Sequence, residues 1–430
     1  MVAFLTKTIN YRMRMVCGVK VCVETYGCTM NQGEGAMLES MLTSLGHEVV
    51  DDPAAADLVV LNTCTVISET ENRMLKRMGE ISSQRKHLVV SGCMAAIQAD
   101  AIVKKAPNAM IIAPRDYGSF TELIESSVGR ADLIPLFRPA PISATLPISQ
   151  GCVGACSYCI TKAARGTLAS YPIEDLVASA RKHIDSGSRE ILVTAQDTAC
   201  YGFDSGKNLS SVLSSLVEIP GDFMVRVGMM NPDNLARVID DLIPAWMHPK
   251  VYKFIHLPVQ SGSDDVLDAM NRGYKADEFA ALVSKLREAC PNMTLSTDVI
   301  TGFPGETEED HRATVKLIEE MRPDTVNVTR YSPRPGTPAA KAKNQIPGWV
   351  SKERSRELTK LRFAIAEELH QAMIGRRERI LIIEVGKPGS VIGRTSSYRP
   401  VAVQQKLPLG SKVEVEITEA APTYLLGRVL

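Results

Sequence analysis

Cys152, Cys156 and Cys159 stand at spacing C-x3-C-x2-C within the segment CVGACSYC. Three thiolates on one tight loop can ligate three irons of a [4Fe–4S] cube and leave the fourth iron without a protein ligand. An open iron can chelate a small molecule and pass it an electron. That chemistry belongs to the cofactor, and the protein supplies the cage. A structural zinc site needs a fourth ligand, commonly as two CxxC pairs, and the next cysteine is only Cys200. A disulfide leaves an odd thiol and needs an oxidising compartment.

A second set of cysteines is spread along the first ~140 residues. VKVCVETYGC ends at Cys28, DLVVLNTC at Cys64 and HLVVSGC at Cys93, separations of 36 and 29 residues. Each cysteine follows a short β-branched run that reads as a buried strand, with helical stretches between. One βαβ unit has about this length. The expectation is a doubly wound parallel sheet whose C-terminal strand ends bring the three cysteines into one crevice. Ordinary buried cysteines are the alternative, but three in phase with strand ends favour a second cluster. Cys17, Cys22, Cys200 and Cys290 do not share that phase and read as packing residues.

Beyond a proline-rich stretch at 137–147, read as a linker, six strand-like runs alternate with amphipathic helices: LPISQG, EILVTAQD, FMVRVGMM, YKFIHLPVQ, MTLSTDVITG and TVNVTRYS. This suggests a partial (β/α) barrel, with its site at the C-terminal strand ends. Polar residues gather there: Gln196, Asp197, Asn231, Gln260, Ser261, Asp298 and Glu306. His256, on an apolar strand, reads as a satisfied core histidine. A long amphipathic helix then leads to short β runs that suggest a small barrel of about five strands. From Gly375 onward nine Lys and Arg face five acids, a net of +4 in a chain whose formal charge is zero. With Arg394 and Tyr398 in GRTSSYRPV, this reads as an RNA-facing patch, against the plainer reading of a solvated surface.

The chain has 430 residues, 45% of them hydrophobic, enough for two or three domains with proper cores. Zero net charge argues against a generally basic nucleic-acid coat protein. There is no run of 18 apolar residues to span a membrane, and the first residues lack the pattern of a signal peptide. Reduced thiols then point to the cytoplasm. The expected organisation is an extension (1–18), a cysteine-bearing domain (19–136), the linker (137–147), a barrel domain (148–370) and a terminal β-barrel (371–430).

The CxxxCxxC loop resembles the signature of the radical S-adenosylmethionine superfamily. Together with YGCTMN, LNTCTV and SGCMA it is similar to the methylthiotransferase family, over nearly the whole chain. The resemblance implies two [4Fe–4S] clusters, an auxiliary one on Cys28, Cys64 and Cys93 carrying or binding sulfur. It also implies S-adenosylmethionine as methyl donor and radical source. DVITGFPGET resembles the family's contact to the adenosyl group, with Asp298, Gly302 and Glu306; Gly302 and Gly305 would let backbone approach the ligand. At the barrel top, Gln196 is a further candidate for the cofactor and Gln260 for the substrate. The C-terminal segment resembles the TRAM domain, an OB-like RNA-binding module.

Within the family, ITK…ARG after Cys159, RVGMMNP and YSPRPGTPAAK resemble the archaeal and eukaryotic branch that acts on N6-threonylcarbamoyladenosine beside the tRNA anticodon. Other branches usually have proline near Lys162. One departure is MNQGEGAM, with Glu34 near the place where an Asp is common. Carbon 2 of the adenine bears an unactivated C–H, so a radical is warranted, and the two clusters should face a common cavity. Lys162 and Arg165 are candidates for a phosphate or substrate carboxylate, with surface ion pairing as the alternative. The partners implied are the anticodon stem-loop, an electron donor and a sulfur source. Rival readings are a methylthiotransferase for isopentenyladenosine in tRNA or for a ribosomal-protein aspartate, and an RNA-binding iron–sulfur sensor without turnover.

Overall fold

The structure is a computed structural model that describes residues 18–66, 68–84, 86–128 and 141–430. The expected extension, apart from Gly18, and residues 137–140 of the expected linker lie outside these. Contacts divide the chain into an N-terminal and a C-terminal unit.

The N-terminal unit is built on five parallel strands: β1 (Lys20–Thr25), β2 (Glu48–Val49), β3 (Leu58–Thr63), β4 (His87–Gly92) and β5 (Met110–Ile111), in the order β2-β1-β3-β4-β5. Side chains alternate across a strand, and β3 is buried throughout. Val59 and Leu61 join Met74 and Met78 on one face, whereas Leu58 and Val60 join Leu38, Leu42 and Phe120 on the other. Apolar residues on both sides are why the run reads LVVL without polar alternation. The doubly wound expectation is met.

The C-terminal unit holds β6 (Ser143–Pro147), the small pair β7 (Ser149–Gln150) and β8 (Ala169–Ser170), then β9 (Glu190–Thr194), β10 (Met224–Val227), β11 (Phe254–His256), β12 (Thr294–Thr301) and β13 (Thr325–Arg330). Two parallel three-stranded sheets, β10-β9-β6 and β11-β12-β13, are joined by parallel bridges at Val225–Val251 and Met229–His256. This is the expected partial barrel. One boundary is corrected: residues 143–147, read as linker, form β6, the first barrel strand, paired with β9 in register Ser143–Glu190 to Pro147–Thr194. Pro147 is tolerated there because β6 is the edge strand of its sheet.

The helix Gly348–Gln371 packs along this barrel, with Leu358 and Ile365 in its core. Strands β14 (Arg377–Val385), β15 (Val391–Arg394), β16 (Pro400–Val403), β17 (Lys412–Ala421) and β18 (Tyr424–Val429) then close a five-stranded barrel, ordered β14-β15-β16-β18-β17. Among the described residues no helix is long and apolar enough to cross a membrane.

Candidate cluster sites at the strand ends

In the N-terminal unit, β1, β3 and β4 are adjacent, and each is followed by one cysteine of the dispersed set. Cys28 caps the helix Thr29–Ser44, Cys64 follows β3, and Cys93 opens the helix Cys93–Ile97. Thr63 pairs with Gly92, so Cys64 and Cys93 leave neighbouring strands at the same level. A Cβ on Gly27 would stand 2.8 Å from the Cys64 Cβ, which places the Cys28 turn against Cys64. Gly92 has φ +84°, and a Cβ there would collide with the Thr63 carbonyl; only glycine turns the chain into Cys93 at this point. Asn31, fully buried, donates from Nδ2 to the Thr63 carbonyl (2.8 Å), while its own carbonyl accepts from Asn62 Nδ2 (2.8 Å). Its Oδ1 accepts from the Cys28 thiol at 3.3 Å. Cys28 is exposed, whereas Cys64 and Cys93 are buried. Glu34, in the helix that Cys28 caps, is buried.

In the C-terminal unit the local cysteines occupy the loop after β7. Gly151, at φ +78°, is forced by the Thr167 carbonyl, which a Cβ would strike. The Gly154 N–H donates to Cys152 Sγ at 3.3 Å. A Cβ on Gly154 would lie 3.4 Å from that sulfur and 3.9 Å from Cys156 Sγ, so both thiols flank one small residue. Ser157 anchors the loop through its N–H to the Met270 carbonyl (2.9 Å) and its hydroxyl to the Ala269 carbonyl (2.7 Å). Asn271 Nδ2 donates to the Ala155 carbonyl at 2.7 Å. Arg272 Nη1 donates to Cys156 Sγ at 3.3 Å, and its Nη2 to Asn231 Oδ1 at 3.0 Å. Burial pushes the Cys152 thiol up to about 11, so near neutral pH a metal must displace its proton.

The expected polar residues are indeed at the C-terminal strand ends, with differing duties. Asp197, buried, accepts from the N–H groups of Asn231 and Ala199 (both 3.0 Å) and from Asn234 Nδ2 (2.7 Å). Burial raises its carboxyl against these bonds. Gln196 keeps a buried Oε1 without a hydrogen-bond partner. Gln260 adopts a left-handed backbone, φ 71°, rare for a residue with a Cβ and typical of functional sites. Asp298 accepts from Asn327 Nδ2 (2.7 Å) and meets His256 Nε2 at 2.9 Å, so His256 is satisfied as expected. Ser261 serves packing, its hydroxyl 3.2 Å from that of Thr314.

Several of the expected ligand-binding residues make structural contacts. A Cβ on Gly302 would lie 2.5 Å from the Ser351 Cβ, so this glycine admits the long helix. Glu306 Oε2 accepts from the Gly302 N–H (2.6 Å) and from Arg354 Nη1 (2.7 Å) in a buried ion pair. Lys162 Nζ is spent on the loop carbonyls of Gly154 (2.9 Å) and Val153 (3.3 Å), and Arg165 is buried, not on the surface. Tyr398 packs its ring on Tyr252 and Phe254, centroids 4.8 and 5.1 Å away. Arg394 and Arg226 lie over it at 4.6 and 5.1 Å. Both residues expected to meet RNA therefore serve the seam between the terminal barrel and the central one. Arg399 Nη2 completes that seam with Asp324 Oδ1 at 2.6 Å. Sequence reasoning missed Arg272 and Asn271. Their only signal is a short loop, MNRGY, after the helix Asp264–Ala269.

The donor chemistry fits iron–sulfur clusters. Six cysteines form two triads, none in a disulfide, and a triad that held a [4Fe–4S] cube would leave one iron without a protein ligand. Among the described residues no three metal-binding side chains converge on a single ion. A cubane instead spreads its thiolates over separate irons.

The chain is similar to known proteins over nearly its whole length. Residues 20–113 match the uncharacterized protein family UPF0004, 146–318 the radical SAM superfamily and 371–430 the TRAM domain. A probable threonylcarbamoyladenosine tRNA methylthiotransferase of Pyrococcus abyssi is 40% identical, over 96% of this chain and all of the relative. The Homo sapiens threonylcarbamoyladenosine tRNA methylthiotransferase is 34% identical, over 95% of this chain and 74% of its own. Among solved structures, the radical S-adenosylmethionine methyltransferase TsrM of Kitasatospora setae superposes with a TM-score of 0.58 at 14% identity. It covers 75% of this chain and 77% of that one, a likeness of fold.

Proposed function

The chain belongs to the family of threonylcarbamoyladenosine tRNA methylthiotransferases, and from that premise we propose that it inserts a methylthio group at carbon 2 of N6-threonylcarbamoyladenosine, position 37 of tRNA. The observation that carries this reading is the full-length similarity to relatives of that name, with both cysteine triads at C-terminal strand ends. Cys152, Cys156 and Cys159 would hold the radical cluster, and Cys28, Cys64 and Cys93 an auxiliary one. With S-adenosylmethionine bound, the first supplies a route to a carbon-centred radical able to break an unactivated C–H bond. The chain's own part is placement. Lys162, Asn271 and Ser157 fix the loop. Arg272 directs a charged N–H at Cys156, and such hydrogen bonds to cluster sulfur tune its potential. Gln196 and Gln260 are the side chains we assign to S-adenosylmethionine at the barrel mouth: one has an unpartnered buried oxygen, the other a strained backbone.

The terminal barrel supports an RNA partner through its net charge, and the anticodon stem-loop is the segment that carries position 37. Free thiols fit a reducing compartment, the cytoplasm. The chemistry also needs an external electron donor and a sulfur source. The test is mass spectrometry of nucleosides from tRNA of a deletion strain. The 2-methylthio derivative should vanish, with N6-threonylcarbamoyladenosine accumulating. An unchanged nucleoside profile would refute the reading.

A further inference from the structure

Resting on the tRNA reading above, we propose that Trp349 is a stacking platform for an unpaired base of the RNA, set on the rim of the barrel mouth. It is 67% exposed, the most exposed large apolar side chain among the described residues. Its place follows from the chain around it. Ser157, inside the cysteine loop, accepts from the Ala339 N–H at 3.0 Å. A few residues on, the Asn344 carbonyl accepts from the Gly305 N–H at 2.9 Å. Ser351 Oγ then donates to the carbonyl of Thr301, the last residue of β12, at 3.1 Å. Trp349 therefore sits at the C-terminal strand ends, the same end as the cysteines.

Its surroundings favour a polyanion. Residues 341–352 carry Lys341, Lys343 and Lys352 and no acid. All three lysines are exposed, and among the described residues their side chains form no ion pair or hydrogen bond. An aromatic face amid uncompensated cations is the pattern by which single-stranded nucleic acid is held: bases stack and phosphates pair.

The terminal barrel does not supply this contact. Its seam with the central domain uses Asp222, Tyr252, Lys253 and Asp324, all just before strands, at the end opposite the mouth. The helix that begins beside Trp349 ends where His370 Nδ1 meets the Ala421 carbonyl of the terminal barrel at 2.7 Å. Its 24 residues span about 36 Å at 1.5 Å per residue. A loop base presented to the mouth needs a local hold, and Trp349 is the most exposed aromatic there among the described residues.

The chain has two tryptophans, and Trp246 is fully buried, so quenching by acrylamide reports on Trp349. The reconstituted full chain is titrated with an anticodon stem-loop carrying N6-threonylcarbamoyladenosine. Saturation should cut the quenching slope severalfold. Trp349→Ala should weaken stem-loop binding about tenfold, within the range for loss of one stacked base, while Trp349→Phe retains most of it. Iron content and S-adenosylmethionine cleavage without RNA should match the wild type in both variants. Unchanged quenching on a bound and modified stem-loop, or Trp349→Ala binding like the wild type, overturns this inference alone. No stem-loop binding by the wild type overturns both it and the tRNA reading.

Discussion

The two cysteine triads are positioned by opposite means. Cys152, Cys156 and Cys159 lie within eight residues of one loop, and that loop is tied to its surroundings through Ser157, Asn271 and Lys162. Cys28, Cys64 and Cys93 are far apart in sequence and each follows one of β1, β3 and β4, which are neighbours in one sheet. The first triad borrows its geometry from side-chain hydrogen bonds, the second from backbone register. The first should therefore be sensitive to loop anchors, and the second to anything that shifts the strand ends.

The largest effect comes from removing each triad. Cys152, Cys156 and Cys159 changed together to Ala should leave about four of about eight irons and abolish 5′-deoxyadenosine formation. The same change at Cys28, Cys64 and Cys93 should also leave about four irons, but spare uncoupled cleavage of S-adenosylmethionine while ending methylthiolation. Full iron content in the second variant would remove the auxiliary cluster from the account.

Backbone substitutions sharpen the contrast. Gly92→Ala drives a Cβ into the Thr63 carbonyl at a positive φ, a strain of roughly 1–3 kcal/mol before the collision is counted. It should cost the auxiliary iron only. Gly151→Ala meets the Thr167 carbonyl in the same way and should cost the radical cluster only. Gly154→Ala has no backbone collision and should retain both. Iron analysis of the three variants decides.

Smaller still is the effect of Arg272→Met, which removes the N–H to Cys156 Sγ. Loss of such an outer contact typically costs about tenfold or more, here in the rate of reductive cleavage, with cluster content unchanged. The seam should respond least. Tyr398→Ala forfeits two ring contacts and two cations over the ring, about 2–5 kcal/mol in all. Chemical denaturation should show that loss, with both clusters intact.

The same contrast explains what was legible in the sequence. The CxxxCxxC loop announces itself by spacing. The dispersed triad is visible only through strand periodicity, which works because both faces of β3 are buried and its apolar run is unbroken. Strand β6 was hidden because Pro141 and Pro147 flank a short run that reads as linker. Tyr398 and Arg394 were misplaced for a related reason. An aromatic between arginines looks alike whether it faces RNA or packs on Phe254, and only the tertiary fold tells the two apart. Arg272 was missed because an isolated arginine after a short helix has no period at all.

Substrate choice by the reconstituted protein tests the central claim most directly. Stem-loops carrying N6-threonylcarbamoyladenosine or isopentenyladenosine at position 37 compete for the enzyme in one reaction, with ribosomal protein present. Products are separated by mass. The account predicts methylthiolation of the threonylcarbamoyl nucleoside in preference to the other. Preferential conversion of the isopentenyl nucleoside, or labelling of the ribosomal protein with neither RNA modified, would contradict it.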